Sequence, residues 1–212
     1  SVLVLLGFLS WFFTKDNKQE LSLSDGFVIT VLFWIVLSVS GSIPFLLFGF
    51  SVVDSFFESM SGITTTGATV IAGLDDLPKS LLIYRQLLQW LGGMGLIVLA
   101  IAVMPLLGIG GGQLFKTQTP GPMSEQKLTP RITSTARALW SIYFVLTILC
   151  IFAYRLAGMN NFDAVSHAFS TVSIGGFSTH DLSIGFFDSL SIEIVCVTFM
   201  LLSAMSFAVH YS

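Results

Sequence analysis

Charge is scarce in this sequence. Only 10% of its residues are charged, 54% are hydrophobic, and the mean hydropathy is +0.87. A soluble domain is about 25% charged, so this chain has too few polar groups to cover a water-facing surface. Cysteine is scarce too. Cys150 and Cys196 both sit inside apolar runs with no metal-ligand spacing, which leaves them as small buried hydrophobes. The net charge of -3 gives no basic surface for nucleic acid. A Gly-x-x-x-x-Gly-Lys phosphate loop is absent, and Ser, His and Asp show no nucleophile–base spacing. The apolar runs are nearly free of the buried His, Asp or Glu that a membrane enzyme would need. An enzyme, or a scaffold whose repeats are only structural, therefore has little to rest on. The first apolar run has no basic region before it and no small-residue cleavage site, so it is not expected to be a signal peptide.

The hydrophobic residues that are there fall in long uncharged runs. Residues 1–14 are too short to span a bilayer, which takes about 20 residues, and are expected to be the end of a preceding helix. Phe27 to Phe50 is long enough to cross, with Pro44 expected to end or bend it late. Gln86 to Phe115 follows, with Pro105 and Gly108, Gly110, Gly111 and Gly112 expected to break its far end. Ala138 to Tyr154 is a third run, capped by Arg155, and Ser189 to Tyr211 is a fourth, interrupted only by Glu193. The chain opens inside an apolar run and closes without a polar tail, as expected of an internal piece of a longer protein.

Between the runs, charge is sorted by sign. Most of the nine basic residues lie in loops 15–20 and 116–137: Lys15, Lys18, Lys116, Lys127, Arg131 and Arg137. That bias places these loops in the cytoplasm. Residues 116–133 carry three prolines and no apolar period, which predicts a loop throughout. Most of the twelve acids fall on the other side: Asp54, Glu58, Asp75, Asp76, Asp163, Asp181, Asp188 and Glu193. An acidic outer vestibule would concentrate cations.

Two stretches between the runs repeat one another. Val53-Asp-Ser-Phe-Phe-Glu-Ser-Met-Ser-Gly-Ile-Thr-Thr-Thr-Gly-Ala-Thr69 aligns without gaps on Phe162-Asp-Ala-Val-Ser-His-Ala-Phe-Ser-Thr-Val-Ser-Ile-Gly-Gly-Phe-Ser178. Asp54 falls on Asp163, Ser61 on Ser170, Thr64 on Ser173, Gly67 on Gly176 and Thr69 on Ser178. Both copies run in the same direction between two apolar spans, so the repeat is parallel and tandem. Each copy reads as a short helix, led by Asp54 or Asp163 as its cap and ending at Ile63 or Val172. Such a helix is about 15 Å long, half the depth of a hydrocarbon core of about 30 Å. The negative end of its dipole would then favour a cation at the membrane centre. A Thr/Ser/Gly loop follows, where glycine's freedom lets successive carbonyls point one way. Irregular backbone at that depth is tolerated where it lines a wet cavity or is buried in protein. Carbonyl rings that replace an ion's hydration shell are how potassium filters work. The expected fold is an all-α polytopic membrane protein with tandem M1–pore helix–M2 repeats and re-entrant filter loops. Its first repeat would span residues 24–115 and its second 134–212, joined by the cytoplasmic loop 116–133.

Gly62-Ile-Thr-Thr-Thr-Gly-Ala-Thr69, Gln89-Trp-Leu-Gly-Gly-Met-Gly95, Leu128-Thr-Pro-Arg-Ile132 and Phe169-Ser-Thr-Val-Ser-Ile-Gly-Gly-Phe-Ser-Thr-His-Asp181 carry a family resemblance. Over essentially its whole length the chain resembles the TrkH-type subunits of the Trk/Ktr/HKT cation transporter superfamily. The resemblance implies four such units around one pore, of which this chain would hold two, embedded in lipid. It also implies a homodimer and a cytosolic nucleotide-binding regulatory subunit like TrkA, in a bacterial inner membrane. It places transported potassium on backbone oxygens of Thr65 and Thr66 in one loop and Ile174 and Gly175 in the other, just before Gly67 and Gly176. A serine in place of the first filter glycine marks sodium-favouring relatives, so Gly67 and Gly176 argue for potassium over a sodium-permeable or sodium/proton-coupled rival.

Other residues carry weaker expectations. Arg85, read as opening the return helix, is expected either to neutralise Glu58 or Asp54 or to snorkel to the interface. Gly92, Gly93 and Gly95 are expected to let helices pack closely. His167 stands where Glu58 stands in the first copy, and is expected to be a packed, hydrogen-bonded helix residue. His180 and Asp181 are expected at the outer mouth, and Glu193 at the interface.

Overall fold

A computed structural model describes residues 23–103 and 128–205. The expected helix end at 1–14, the loop 15–20, Pro105 with its following glycines, and residues 116–127 lie outside the described residues. So do positions 206–212.

Six α-helices make up the described chain, in two units of the same order. The first holds α1 (Leu23–Leu47), the short α2 (Val52–Ile63) and α3 (Lys79–Val103). The second holds α4 (Leu128–Leu156), the short α5 (Asn161–Val172) and α6 (Leu190–Ala204). There is no β-strand among the described residues.

The repeat seen in the sequence is repeated in the backbone. α1 is stopped at Gly49 and α4 at Gly158, both left-handed, with φ 94° and 109°. Glycine suits that conformation because it has no Cβ to clash. The chain then turns back, with Phe50 N–H donating to the Phe45 carbonyl at 3.2 Å and Met159 N–H to the Tyr154 carbonyl at 3.0 Å. Pro44 lies inside α1, which ends within the following turn.

Three boundaries differ from expectation. α4 begins at Leu128, inside the segment read as loop. Pro130 falls in its first turn, where the backbone N–H has no helical partner to lose. α3 begins at Lys79, so Arg85 lies inside the helix rather than opening it. The two short helices begin earlier than Asp54 and Asp163.

α1 packs on α2 and α2 on α3, while α4 packs on α5 and both pack on α6. α3 joins the units by packing on α4 and α5 as well. Its Trp90 and Met94 sit with Tyr143, Cys150, Ala168 and Val172 of the second unit's core. The Trp90 indole donates to Thr147 Oγ1 at 3.0 Å, and the Tyr143 hydroxyl donates to the Trp90 carbonyl at 3.0 Å. Gly92 makes the α2–α3 approach possible, since a Cβ there would lie 1.9 Å from the Ile63 carbonyl oxygen. A Cβ on Gly93 would meet Tyr143 and Ser173, while one on Gly95 would meet nothing within 4 Å among the described residues. Among the described residues, close packing therefore rests on two of the three glycines. Cys150 is buried, Cys196 half-buried, and both are free thiols.

Two helical segments are long and apolar enough to cross a membrane, Phe27–Leu47 and Leu139–Leu156. Only 17% and 22% of their most apolar windows are buried. A core helix of a soluble protein would be mostly buried. Here Val31, Val36, Phe144 and Phe152 are exposed on faces too large and apolar for water.

Candidate functional site

The short helices end alike. Thr65 N–H donates to the Gly62 carbonyl at 3.0 Å and Thr66 N–H to the Ser61 carbonyl at 2.9 Å. In the second unit Ile174 N–H donates to the Thr171 carbonyl at 3.1 Å and Gly175 N–H to the Ser170 carbonyl at 2.8 Å. Each pair of bonds is a Schellman closure, which needs one residue in the left-handed region. That residue is Thr65 in one unit and Ile174 in the other, each with φ 55°. Both are β-branched, for which this conformation is an outlier with a cost of about 1–3 kcal/mol. Strain of this kind collects at functional sites.

The helices begin alike too, but not at the expected caps. Ser51 and Asn160 are the N-caps. Ser51 Oγ accepts from Asp54 N–H at 3.1 Å, and Asn160 Oδ1 from Asp163 N–H at 3.0 Å. Asp54 and Asp163 sit three residues later, where their carboxylates accept back from the cap side chains at 2.7 and 2.5 Å. They stabilise the N-terminus as dipole partners that hold the cap side chains, not as caps.

The two loops meet. Gly67 and Gly176 are left-handed, with φ 78° and 90°. A Cβ on Gly67 would lie 1.8 Å from the Gly175 carbonyl oxygen, so the first loop presses edge-on against the second. Gly175 is buried against Gln89 of α3, whose Oε1 accepts from Phe177 N–H at 3.1 Å. Thr65 is half-buried, and Thr66, Ile174 and Gly176 are exposed. Thr66 Oγ1 lies 2.8 Å from Thr64 Oγ1.

Behind each loop one hydroxyl is held by several partners. Thr69 Oγ1 donates to the Glu58 carboxylate, at 2.9 and 3.0 Å from its two oxygens, and accepts from Ile71 N–H at 3.1 Å. It also accepts from Arg85 Nη2 at 3.1 Å. In the second unit His167 Nδ1 lies 2.9 Å from the Asp163 carbonyl oxygen, to which it must donate. Nε2 of the neutral ring is then an acceptor for Ser178 Oγ at 2.9 Å. Ser178 Oγ accepts in turn from His180 N–H at 3.1 Å. His167 is therefore the buried, hydrogen-bonded residue expected.

Glu58, counted among the outer acids, is buried rather than facing a vestibule. It and Arg85 are both 0% exposed and paired at 2.7 Å, which makes Arg85 the partner of Glu58 rather than a snorkelling residue. Arg85 also lies over the Phe177 ring, 4.4 Å from its centroid. Asp163 is buried as well, held by the Thr179 hydroxyl at 2.8 Å.

The rim of the loops ties the units together. Asp181 accepts from Gly73 N–H and Leu74 N–H at 3.1 Å. His180 pairs with Asp75 and lies 3.3 Å from Asp163. The hydrogen bond from His180 holds the Asp75 carboxyl below its usual range. The charged carboxylate of this tie is thus present at neutral pH and is lost as pH falls through that lowered value. Glu193 is exposed in the first turn of α6. No cluster of three or more His, Cys, Asp or Glu residues suited to a metal occurs among the described residues.

The profile of the TrkH family, described as cation transport proteins, matches residues 1–212. The Trk system potassium uptake protein TrkH of Vibrio parahaemolyticus is 57% identical over 214 residues, covering 100% of this chain and 44% of that protein. The protein of the same name from Escherichia coli K12 is 49% identical, again over 100% of this chain and 44% of its own length. The crystal structure of the potassium transporter TrkH from Vibrio parahaemolyticus matches with a TM-score of 0.84 and 54% identity, over 99% of this chain and 42% of that one. The chain thus spans less than half the length of the relatives it matches. It is an all-helical, multi-pass membrane protein by that likeness and by its lipid-suited faces. The chain belongs to the TrkH family of cation transport proteins.

Proposed function

We propose that the full protein takes up potassium across a bacterial inner membrane, and that the two loops of this chain form two walls of its selectivity filter. The observation that carries this reading is the paired left-handed geometry at Thr65 and Ile174, with the loops in contact at Gly67 and Gly175. Two strained segments, each at the C-terminal end of a short helix and side by side, suit a cation held by backbone oxygen. Thr65, Thr66 and Gly67, with Ile174, Gly175 and Gly176, are the filter residues, and the carbonyls of Thr65, Thr66, Ile174 and Gly175 are the potassium ligands. The units fall at 24–115 and, with the helix start at Leu128, at 128–212, with the intervening segment in the cytoplasm. Further repeats of the same protein complete the ring, and the family resemblance supports a homodimer with a cytosolic nucleotide-binding subunit.

The test is ion flux through the full-length protein in liposomes, with potassium and sodium compared. Potassium-selective flux is expected. Equal permeation of the two ions, or sodium preference, contradicts the reading.

A further inference from the structure

Arg85 touches both filter loops at once. Its Nε donates to Glu58 Oε1 at 2.8 Å, its Nη2 to Thr69 Oγ1 at 3.1 Å, and its Nη1 to the Ser178 carbonyl oxygen at 3.0 Å. Thr69 closes the first loop and Ser178 the second. The side chain is fully buried, and its guanidinium is planar and rigid. One residue therefore links the far ends of two loops that also meet edge-on at Gly67 and Gly175.

In the second unit the equivalent hydroxyl is held without an ion pair of its own, while the Ser178 carbonyl accepts from Arg85 of the first. His167 occupies the position of Glu58 and holds Ser178 without a charged partner. α6, the counterpart of α3, contains no Lys or Arg, and its Cys196 lines a cavity of about 240 Å³ together with His167. Neutral His167 suffices for the Ser178 hydroxyl, the counterpart of Thr69 Oγ1. Burying a charge pair is expensive in desolvation, so its use here needs a reason beyond holding Thr69. The bond from Arg85 to the other unit's backbone supplies it.

We propose that Arg85 is a positioning residue for ion selectivity, with Glu58 as its anchor: it sets the separation of the two filter walls. The proposal rests on the filter reading above. Selectivity depends on the placement of oxygens around the ion, so a shift between walls changes it even where each loop keeps its own fold.

Two variants of the full-length protein test this, with expression, thermal melting and the potassium-to-sodium permeability ratio read on each. Arg85→Lys keeps the charge for Glu58 but loses the planar fork that reaches Thr69 and Ser178 together. The double variant Glu58→Gln with Arg85→Met leaves no unpaired buried charge, and the new amide oxygen still accepts from Thr69. Both are expected to fold and to lower the permeability ratio by about threefold or more. A purely structural role predicts that the ratio stays at the wild-type value in any variant that folds, and that result in either one overturns the proposal. Failure of Arg85→Lys to fold contradicts it too, by making the guanidinium a requirement of assembly rather than of loop spacing. Wild-type protein in the same assay separates the two claims. Without potassium preference there, the filter reading fails; with it, an unchanged Arg85→Lys ratio sinks this inference alone.

Discussion

Thr65 and Ile174 share one backbone conformation, φ 55° in each, although neither is glycine. They close equivalent helices and begin equivalent loops. A β-branched residue held left-handed in both units stores strain that the surrounding structure must over-determine.

That strain can be released. Thr65→Gly or Ile174→Gly suits the left-handed conformation, at the expense of unfolded-chain entropy. Relief of about 1–3 kcal/mol of strain, less about 0.4–1 kcal/mol of unfolded-chain entropy, is expected to raise stability by roughly 1 kcal/mol while loosening the loop and reducing potassium preference. Thermal melting and permeability ratios of the full-length variants check both halves. A gain in stability with no change in selectivity would mean that the strain serves no filter purpose.

The hydroxyls behind the loops differ in how much rests on them. Thr69 Oγ1 meets Glu58, Arg85 and Ile71 N–H, two of these partners charged, while Ser178 Oγ meets neutral His167 and His180 N–H. Thr69→Val leaves buried charged groups short of a partner and should destabilise by about 1–3 kcal/mol. Ser178→Ala should destabilise less. Melting of the two variants in the same detergent decides the order.

Gly92→Ala should also destabilise, by about 1–3 kcal/mol. Its new Cβ would meet the Ile63 carbonyl oxygen at 1.9 Å, and that oxygen belongs to the last residue of α2. α3 would have to back away from the base of the first loop. Unchanged melting would show that the helices have room to separate.

Topology gives an independent check. The basic residues of 116–137 and the acidic rim around Asp75 should face opposite sides of the membrane. Single cysteines at 116–127 should be labelled from the cytoplasmic side only, and those at 75–79 from outside only. Labelling of both from one side would break the pore-loop arrangement.

Much of this is legible in the sequence because the repeat is gapless. The ends of α2 and α5 at Ile63 and Val172, and the alignment of Gly67 with Gly176, follow from comparing two copies. The caps are easily misjudged because Asp54 and Asp163 are the conspicuous acids. Ser51-x-x-Asp54 and Asn160-x-x-Asp163 are capping-box spacings that point three residues earlier. The start of α4 is hidden because Pro130 looks like a breaker, though the first helical turn accepts proline. The bond from Arg85 to Ser178 joins residues 93 positions apart, and no local pattern encodes it. Gln89 is visible in a motif, but its grip on Phe177 N–H is likewise a contact between units.

The filter itself is tested most directly by comparing Gly67→Ser with Gly62→Ser in the full-length protein. At Gly67 a Cβ would strike the Gly175 carbonyl oxygen at 1.8 Å and φ is 78°; at Gly62 the nearest contact is Leu88 Cβ at 3.1 Å. The measurement is the potassium-to-sodium permeability ratio of each variant at matched expression. Gly67→Ser is expected to lower it by about tenfold, equivalent to ~1.4 kcal/mol between the ions, and Gly62→Ser to lower it less. An unchanged ratio in well-expressed Gly67→Ser would contradict the placement of the filter at these loops.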